Sequence, residues 1–334
     1  MTIMENEQID FLAIGDIVTD AFIKIKDAKV TCDIDEHNCK LSLRFGDKVP
    51  YESVEEVRAV GNSANAAVSA ARLGLKSALI AHVGKDFHGE NCLTELVKNN
   101  VSTKYVGVHE GIPTNYHYVL WYDVDRTILV RHAHFPVAFP HDMPAPKMIY
   151  LSSLGEGTED YHAEIAKYII NNPEVKLVFQ PGTFQMKMGI EKTKDIYANT
   201  YAFFCNVEEA QRILGTTEDD MKVLFEKLHT LGPKIVFITD GIKGAYASDG
   251  KEAWFMPVYP QEPYERTGAG DAFASTVSAA LLMGKTIQEA LTWGPINSMS
   301  VVQFVGAQKG LLTMDRIEHH LAEAPVDYVP KILL

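Results

Sequence analysis

The sequence lacks an excess of basic residues. Its 334 residues include 31 lysines and arginines against 44 aspartates and glutamates, which gives a formal net charge of −13. We therefore expect no general affinity for nucleic acid or for an anionic membrane surface. A phosphorylated ligand is still compatible with this charge, because one helix N-terminus or one bound cation can outweigh the global charge locally.

Long hydrophobic runs are also missing. No stretch of roughly 18 apolar residues occurs, which is the length that a membrane-spanning helix needs. Residues 1–8 carry no basic residue and no apolar run of signal-peptide length. The sequence therefore predicts a cytoplasmic protein with no membrane partner.

Cysteine is scarce and irregularly spaced. The four cysteines, Cys32, Cys39, Cys92 and Cys205, contain no C-x-x-C pair. So few cysteines in so long a chain do not make a disulfide framework. A metal site built from Cys32, His37 and Cys39 fits no zinc spacing, so we expect ordinary strand or turn positions for these residues.

Two common nucleotide-binding motifs are absent as well. No G-x-x-x-x-G-K-[ST] sequence occurs, so a P-loop is not expected to hold a nucleotide. No G-x-G-x-x-G follows an early strand, which argues against an NAD-type oxidoreductase on a Rossmann sheet.

What the sequence does contain is an alternation of short β-prone runs with helical periodicity. Buried strands are predicted at 11–15, 77–83, 147–152, 175–179, 201–205 and 234–239. Helices are predicted at 90–98, 161–171, 208–214, 218–231, 270–283 and 287–304. This order predicts an α/β fold with a largely parallel central sheet, helices on both faces, and ligands at the carboxyl ends of the strands.

Two segments interrupt the alternation. Residues 23–57 contain β-prone stretches and no convincing helix, and residues 116–122 and 127–132 predict a hairpin. Together they predict a small second sheet; an antiparallel extension of the central sheet is the alternative. The chain is then divided into a core of residues 1–22, 58–112 and 133–334 and a β unit of residues 23–57 and 113–132.

The most informative stretch is residues 265–273, in which Gly268, Ala269 and Gly270 precede Asp271 at the start of a predicted helix. A helix N-terminus presents unpaired N–H groups and the positive end of the dipole, which suit phosphate oxygens. Asp271 is placed to take the proton from an attacking hydroxyl. The pattern predicts phosphoryl transfer; a glycine-rich turn with an aspartate favoured by the helix dipole is the alternative.

Five motifs in order resemble those of the PfkB (ribokinase-like) family of carbohydrate and nucleoside kinases. They occupy residues 61–74, 83–89, 206–210, 239–245 and 265–273, and the resemblance covers almost the whole chain. It implies a ribokinase-like three-layer sandwich with a small β-sheet lid over the sugar. In several members the lid is also a dimer surface, so the resemblance includes a homodimer through the lid.

The resemblance also implies the activity. It is ATP-dependent and Mg²⁺-requiring phosphorylation of a hydroxyl on a sugar or nucleoside, with Asp271 as the general base. The backbone of Gly268, Ala269 and Gly270 is implied to form the anion hole, and Thr267 to add a hydroxyl contact to the nucleotide. Which sugar or nucleoside is the substrate is left open.

One departure from the family pattern stands just before the anion hole. The family usually has Asp-Thr where this chain has Glu265 and Arg266. In relatives that aspartate helps to hold a monovalent cation, so the role of potassium is left open here. Arg266 either substitutes electrostatically for the ion or faces solvent.

Four residues are implied to contact the substrate. Asp20 is the best candidate, because a carboxylate accepts two hydroxyl hydrogen bonds well. Asp16 is a second, with a turn or capping role as the alternative. Gly61 allows a close backbone approach, and Asn65 offers a donor and an acceptor, with a plain helix N-terminal position as its alternative.

The metal and nucleotide residues are implied in the same way. Asn206 and Glu209 fit an N-x-x-E motif that acts on hydrated magnesium and phosphate, with a simple helix cap as the alternative. The nucleotide contacts are Thr239, Gly241 and Gly244 of a loop after a strand, and Asn297 beside adenine.

Two further alternatives stay open. A non-catalytic nucleotide or sugar sensor descended from a kinase is the second functional hypothesis, although a pure binder has no need of the general base Asp271. The aromatic residues Tyr116, Tyr118 and Trp121 either stack on a nucleobase or pack on one face of the hairpin.

Overall fold

The structure is a computed structural model that describes residues 8–32, 39–123 and 125–333. The strands, numbered along the chain, are β1 (Phe11–Ile14), β2 (Val18–Ile25), β3 (Lys29–Thr31), β4 (Lys40–Ser42), β5 (Tyr51–Val60), β6 (Ser77–Gly84), β7 (Val101–Ser102), β8 (Val106–His109), β9 (Tyr116–Tyr122), β10 (Asp125–Leu129), β11 (Met148–Leu151), β12 (Lys176–Phe179), β13 (Thr200–Asn206), β14 (Ile235–Thr239), β15 (Ala245–Ser248), β16 (Ala253–Met256) and β17 (Lys331–Ile332). The helices are α1 (Asn62–Arg72), α2 (Phe87–Lys98), α3 (Glu159–Asn171), α4 (Thr183–Met188), α5 (Ile190–Ala198), α6 (Val207–Leu214), α7 (Met221–His229), α8 (Ala269–Leu282), α9 (Ile287–Val301) and α10 (Met314–Ala322).

The central sheet has the order β17-β16-β15-β14-β13-β12-β11-β1-β6-β7, and β8 also pairs with β6. From β14 through β13, β12, β11 and β1 to β6 all neighbours are parallel, and β14 to β17 add an antiparallel edge. All six strands predicted for this sheet are present. The prediction of a largely parallel central sheet is confirmed.

Each face of the central sheet is covered by helices, which explains why its strands are apolar at every position. In β1, Phe11 and Ala13 join one buried cluster, to which α1, α2, α8, α9 and α10 contribute. Leu12 and Ile14 point the other way, into a cluster with α3, α5, α6 and α7. The three-layer α/β sandwich is therefore confirmed.

The second sheet, defined here as β2, β5, β9 and β10, is separate from the central one and has the order β10-β9-β2-β5. The alternative of an antiparallel extension of the central sheet is therefore wrong. The sheet begins at Val18, so the predicted boundary after residue 22 falls inside β2. Its small core consists of Phe22, Val119 and Trp121, together with Val305 from beyond α9.

The expectation that Cys32 and Cys39 occupy ordinary strand or turn positions is wrong. Cys32 and Cys39 are joined by a disulfide, whereas Cys92 and Cys205 are free and buried. The antiparallel pairing of β3 with β4, in which Thr31 faces Lys40, brings the two residues together. His37, considered above as a metal ligand, lies outside the described residues.

Within the described ranges no helix combines the length and the apolarity that crossing a bilayer requires.

Candidate active site

The carboxyl ends of the parallel strands carry the predicted site, as expected for an open α/β sheet. The loop after β1 lies against the loop after β11, because Asp16 N–H donates to Ser153 O at 2.9 Å. The residue after β12 joins them, since Gln180 N–H donates to Leu151 O at 2.9 Å. Helix α8 begins beside this edge and brings Asp271 to it.

The N-terminus of α8 has free N–H groups. The first hydrogen bond of the helix runs from Ala272 N to Gly268 O at 2.8 Å. Among the hydrogen bonds of the described residues, none uses the N–H of Gly268, Ala269 or Gly270. These groups are thus available to an anion, in line with the predicted anion hole.

Gly268 is required by its surroundings. Its φ of 84° lies in the left-handed region, and an added Cβ would stand 2.4 Å from the Cβ of Ala307. Gly270 is different, since an added Cβ there would meet no atom within 4 Å. The first glycine therefore shapes the turn, and the second leaves the mouth of the helix open.

Asp271 is held by two side-chain amides. Its Oδ2 accepts from Asn65 Nδ2 at 2.8 Å, and its Oδ1 accepts from Gln180 Nε2 at 3.4 Å. Each amide is oriented by a further residue: Gln308 Nε2 donates to Asn65 Oδ1 at 3.0 Å, and the Tyr150 hydroxyl donates to Gln180 Oε1. Because the amide oxygens are occupied, both amide N–H groups face the carboxylate.

These contacts set the protonation of Asp271. Burial raises the pKa of its carboxyl above the usual range, while the hydrogen bonds from Asn65 and Gln180 and the charge of Arg126 oppose the rise. The pKa of Tyr150 is raised well above its ordinary value, mainly by burial and also by Asp271. A carboxyl with a raised pKa suits proton transfer near neutral pH.

Asn65 and Gly61 occupy positions that differ from the predicted substrate contacts. The side chain of Asn65 is buried, and its amide is already used by Asp271 and Gln308. At Gly61, with a φ of 114°, an added Cβ would lie 2.7 Å from the carbonyl oxygen of Asp16. The close approach that this glycine permits is therefore made by the protein's own backbone.

Asp16 and Asp20 each face a histidine of the segment that contains the second sheet. Asp16 Oδ2 lies 3.1 Å from His132 Nδ1, and Asp20 Oδ1 lies 3.3 Å from His117 Nδ1. Asp20 is part of β2, where its neighbour in register is His117 of β9, so it lies on a strand and not in the loop. Both carboxylates are thus brought to one place.

The positive charge next to the anion hole comes from Arg126, a residue that the sequence did not indicate, which lies beside the buried carboxylate of Glu265. Glu265 is completely buried, and its Oε1 accepts from Thr267 N at 2.8 Å and from Thr267 Oγ1 at 2.6 Å. Arg126 of β10 places its Nε 3.9 Å from the same oxygen. Arg266 is exposed and forms no ion pair within the described residues, so it faces solvent.

Asn206 and Glu209 form a reciprocal cap at the start of α6. Asn206 Oδ1 accepts from Glu209 N at 2.8 Å, and Glu209 Oε2 accepts from Asn206 N at 2.9 Å. The pKa of Glu209 is raised, first by burial and also by the charge of Asp271. The cap that the sequence left as an alternative is present, and it holds this carboxylate within the field of Asp271.

The predicted nucleotide residues fall into two environments. Thr239 ends β14, and Gly241 and Gly244 follow at positive φ, with Asp240 N–H donating to Gly244 O at 2.9 Å. Asn297, by contrast, is fully buried: its Nδ2 donates to Thr276 Oγ1 at 2.6 Å, and its Oδ1 accepts from Leu312 N. The structure therefore does not bring the side chain of Asn297 to the surface.

The aromatic residues of the hairpin also divide. Trp121 is buried, packs edge to face against Tyr264, and donates its Nε1–H to Asp123 O at 2.7 Å. Tyr116 donates its hydroxyl to Glu56 at 2.7 Å, and its pKa is raised to about 12 by burial and by that carboxylate. Packing therefore accounts for Trp121 in this structure.

A short stretch after α9, here called the 305–308 segment, contacts the second sheet, the turn at Gly268 and the side chain of Asn65. Val305 belongs to the core of the second sheet, and Gly306 lies so close to Val57 of β5 that an added Cβ would stand 2.9 Å from its Cγ2. Ala307 backs Gly268, as described above. Gln308 donates to Asn65 Oδ1 and also to Ala59 O at 2.7 Å.

Comparisons with known proteins show which family the chain resembles. A family model described as pfkB family carbohydrate kinase matches residues 23–314. Ribokinase of Bacillus subtilis is 30% identical over 274 residues, which cover 78% of this chain and 87% of that protein. The ATP-dependent 6-phosphofructokinase of Thermoanaerobacterium thermosaccharolyticum is 24% identical over 329 residues, which cover 95% of this chain and 95% of that protein.

The fold has solved counterparts. The structure of Arabidopsis thaliana ribokinase complexed with ribose and ATP has a TM-score of 0.78 at 20% identity, covering 94% of this chain and 99% of that chain. Because the family model spans most of the sequence and the ribokinase similarity covers more than two thirds of it, the chain belongs to the pfkB family of carbohydrate kinases.

Proposed function

We propose that the protein is an ATP-dependent, Mg²⁺-requiring kinase that phosphorylates a hydroxyl group of a sugar or a nucleoside. The observation that carries this proposal is the position of Asp271, directly behind three free N–H groups at the N-terminus of α8. A proton acceptor and an anion hole on adjacent residues are the two parts that phosphoryl transfer asks of a protein.

In the proposed reaction Asp271 is the general base. It takes the proton of the acceptor hydroxyl while that oxygen bonds to the γ-phosphorus, and the bond from this phosphorus to the bridging oxygen of ADP breaks. The N–H groups of Gly268, Ala269 and Gly270 stabilise the charge on the transferred group. Asn65 and Gln180 hold the carboxylate still, so that the acceptor is activated in line.

Glu209 and Asn206 would hold the magnesium ion, which supplies charge neutralisation at the nucleotide phosphates. Support comes from the raised pKa of Glu209, to which Asp271 contributes, because two neighbouring carboxylates favour a cation between them. Magnesium commonly takes one or two carboxylates plus waters and phosphate oxygens, so the oxygen of Glu209 outside the cap is sufficient.

The nucleotide is proposed to lie against the turn that contains Thr239, Gly241 and Gly244. In this proposal Thr267 supports the nucleotide site indirectly, because its hydroxyl donates a hydrogen bond to Glu265. Asn297 acts indirectly, because its buried amide joins α9 to α8 through Thr276 beneath the site.

The second sheet is proposed to act as a lid over the acceptor. In this proposal the core, which carries the catalytic residues, comprises residues 1–22, 58–112 and 133–334. The lid comprises residues 23–57 and 113–132. Arg126 and Trp121 support this role, since both reach from the sheet to core residues. A homodimer through the lid stays part of the proposal. It is consistent with the exposed side chains of Tyr51 and Val54 on β5.

The proposal is tested by ADP release from ATP and Mg²⁺ across a panel of free sugars, sugar phosphates and nucleosides, with Asp271→Asn in parallel. Release that depends on the acceptor and disappears in the variant is expected. Binding of ATP and acceptor without turnover on any member of the panel would favour the alternative, a sensor derived from a kinase.

Glu209→Gln is expected to raise the Mg²⁺ concentration that gives half-maximal activity by about tenfold, equivalent to about 1.4 kcal/mol. Glutamine keeps an oxygen that accepts from Asn206 N–H, so the cap is preserved and only the charge is lost. Titrating activity with Mg²⁺ at saturating ATP measures the effect. Glu208→Gln is the matched control, because that side chain is exposed; equal behaviour of the two variants would refute the metal role.

Arg126→Gln is expected to move the acidic limb of the pH–rate profile to higher pH. The charge of Arg126 lowers the pKa of Asp271, so its removal raises that pKa further. A general base must be ionised, and activity is lost as the pH falls through its pKa. Below the limb, each unit of added pKa costs about tenfold in rate.

The control for Arg126 is Arg131→Gln, an exposed arginine just beyond the same strand. Profiles are recorded with saturating acceptor and nucleotide, so that binding changes do not enter. An unmoved limb in Arg126→Gln would mean that the guanidinium does not act on Asp271.

A further inference from the structure

The two carboxylate oxygens of Asp271 lie in different hydrogen-bonding environments. Oδ2 accepts from the amide of Asn65 at 2.8 Å, whereas Oδ1 lies 3.4 Å from the amide nitrogen of Gln180. A general base takes the proton on one oxygen only, and the other oxygen then keeps its role as an acceptor. The partners of the two amides therefore indicate which oxygen of Asp271 receives the proton.

The amide of Asn65 has one fixed orientation. Gln308 Nε2 donates to Ala59 O at 2.7 Å and to Asn65 Oδ1 at 3.0 Å. Ala59 O is a backbone carbonyl that can only accept, so the nitrogen of Gln308 must face it, and both of its N–H groups are used. Asn65 consequently turns its oxygen to Gln308 and its nitrogen to Asp271.

This orientation makes Oδ2 an unfavourable place for the proton. A protonated carboxyl oxygen is a weaker acceptor than a charged one, so a proton on Oδ2 would weaken the hydrogen bond from Asn65. Asn65 cannot turn to compensate, because Gln308 holds its oxygen. Both side chains are buried, and a bond lost there has no replacement from solvent. Oδ2 is therefore kept as an acceptor.

The amide next to Oδ1 can follow the protonation of Asp271. Gln180 Oε1 accepts from the hydroxyl of Tyr150, and a hydroxyl group can accept as well as donate. While Asp271 is ionised, Gln180 donates to Oδ1. Once Oδ1 carries the proton, half a turn of the amide lets Gln180 accept from Oδ1 and donate to Tyr150. Every polar atom is satisfied in both states.

We propose that Oδ1 of Asp271 takes the proton of the acceptor hydroxyl, and that Gln308 and Tyr150 are positioning residues that impose this choice. The proton moves from the acceptor oxygen to Oδ1, and the electron pair that it leaves forms the bond to the γ-phosphorus. Gln308 acts through Asn65, and Tyr150 acts through Gln180. The inference rests on the proposed kinase function only for the origin of the proton.

Three other titratable groups act on Asp271 or sense its charge. Arg126 lowers the pKa of Asp271, and Asp271 in turn raises the pKa values of Glu209 and Tyr150. Burial raises the pKa of Tyr150 well above its ordinary value, so its hydroxyl keeps its proton and stays available to Gln180. The variants that test Gln308 leave all three groups unchanged.

The first experiment needs no turnover. The carboxyl carbon of Asp271 is titrated by NMR in protein labelled with ¹³C-aspartate, and its signal is assigned by its absence in Asp271→Asn. Gln308→Met keeps the length of the side chain and removes both hydrogen bonds, so that Asn65 can turn its oxygen towards Asp271. The ionised form then loses a donor, and the pKa of Asp271 is expected to rise by about one unit.

Gln303→Met is the matched control, because Gln303 follows the same helix and donates its amide to the backbone oxygen of Glu262 at 2.9 Å. Its titration is expected to match that of the unaltered protein. An unmoved pKa in Gln308→Met, or an equal rise in both variants, overturns the role of Gln308. Thermal unfolding verifies that each variant is folded.

The second experiment asks whether Gln308 acts through Asn65. The acidic limb of the pH–rate profile is expected to move to higher pH in Gln308→Met and in Asn65→Leu, because the ionised carboxylate loses a donor in both. The double variant is expected to move no further than Asn65→Leu alone. Shifts that add in the double variant would mean that Gln308 acts by another route, and would overturn the assignment.

Tyr150→Phe tests the Oδ1 side by removing one oxygen atom. At saturating substrates and a pH above the limb, kcat is expected to fall roughly three- to tenfold, the usual size of one hydrogen bond, with KM for ATP unchanged. The same change in a Gln180→Leu background is expected to have no effect. Tyr161→Phe is the control, since that hydroxyl is buried and has no hydrogen-bond partner within the described residues. Unaltered kcat in Tyr150→Phe, or an equal loss in the control, overturns the role of Tyr150.

The two kinds of measurement separate this inference from the kinase proposal. A raised pKa of Asp271 in Gln308→Met, in a protein that phosphorylates no acceptor, would keep the positioning role of Gln308 and remove the kinase. Acceptor-dependent ADP release together with an unmoved pKa in Gln308→Met would keep the kinase and remove the inference.

Discussion

Asp271→Asn is expected to lower kcat by roughly 10²–10⁴-fold, the range that general base catalysis commonly contributes. Asparagine has the same shape but cannot accept the proton of the acceptor hydroxyl. Steady-state ADP release measures kcat, and calorimetry with ATP and acceptor measures binding, which is expected to change little. The expected pattern is thus a loss of kcat with KM nearly constant, as for an interaction made only in the transition state.

Asp195→Asn is the control for this experiment, since Asp195 lies exposed on α5. A loss of kcat in the control would indicate a nonspecific effect of preparing the variants. Near-normal turnover in Asp271→Asn, with both ligands bound, would refute the assignment of the base and leave the free N–H groups of α8 as the remaining argument for catalysis.

Gly268→Ala is expected to lower kcat/KM by roughly 10²–10³-fold, as the loss of an anion-hole donor does. An added Cβ would stand 2.4 Å from the Cβ of Ala307, so the turn must shift and the N–H groups of α8 must move with it. The left-handed φ of 84° adds strain, and the two effects together are expected to lower the free energy of unfolding by about 1–3 kcal/mol.

Gly284→Ala separates strain from catalysis. Gly284 follows the other end of α8 with a φ of 86°, and an added Cβ there meets nothing within 4 Å. We expect a smaller loss of stability in chemical denaturation, from the φ strain alone, and no change in kcat/KM. If Gly284→Ala lowered activity as much as Gly268→Ala, general destabilisation would account for both results, and the anion hole would lose its support.

The central sheet and its helices were predictable because their signals are local. A run such as Phe11–Ile14 is apolar at every position, and α7 buries Leu224, Phe225 and Leu228 at helical spacing. The start of β2 was not predictable, since Thr19 and Asp20 interrupt the apolar residues that mark the central strands. Only its pairing with β5 and β9, far along the chain, assigns it to the second sheet.

The residues of the site likewise fall into those that the sequence indicates and those that it does not. Asp271 and Gly268 stand in a recognisable motif at a helix start, and Gln180 follows a predicted strand, where the parallel sheet places ligands. Tyr150 lies inside a strand, so the sequence indicates a core residue and not a contact of the site. Arg126 and Gln308 reach the site only through tertiary packing, so no spacing in the sequence indicates them.

The Cys32–Cys39 disulfide was missed for a related reason. Its two cysteines are brought together by the pairing of β3 with β4, and the sequence criterion used above looked for several regularly spaced cysteines. A single bridge across one short hairpin has no such regularity.

The 305–308 segment has a consequence for engineering the specificity of this enzyme. Four consecutive residues support the second sheet, the turn at Gly268 and the amide of Asn65. A second sheet grafted from a relative would therefore meet a foreign Val305 and Gly306, and the resulting shift would also move Gly268 and Asn65. Chimeras that exchange the sheet together with residues 305–308 are the ones in which acceptor choice can change while turnover survives.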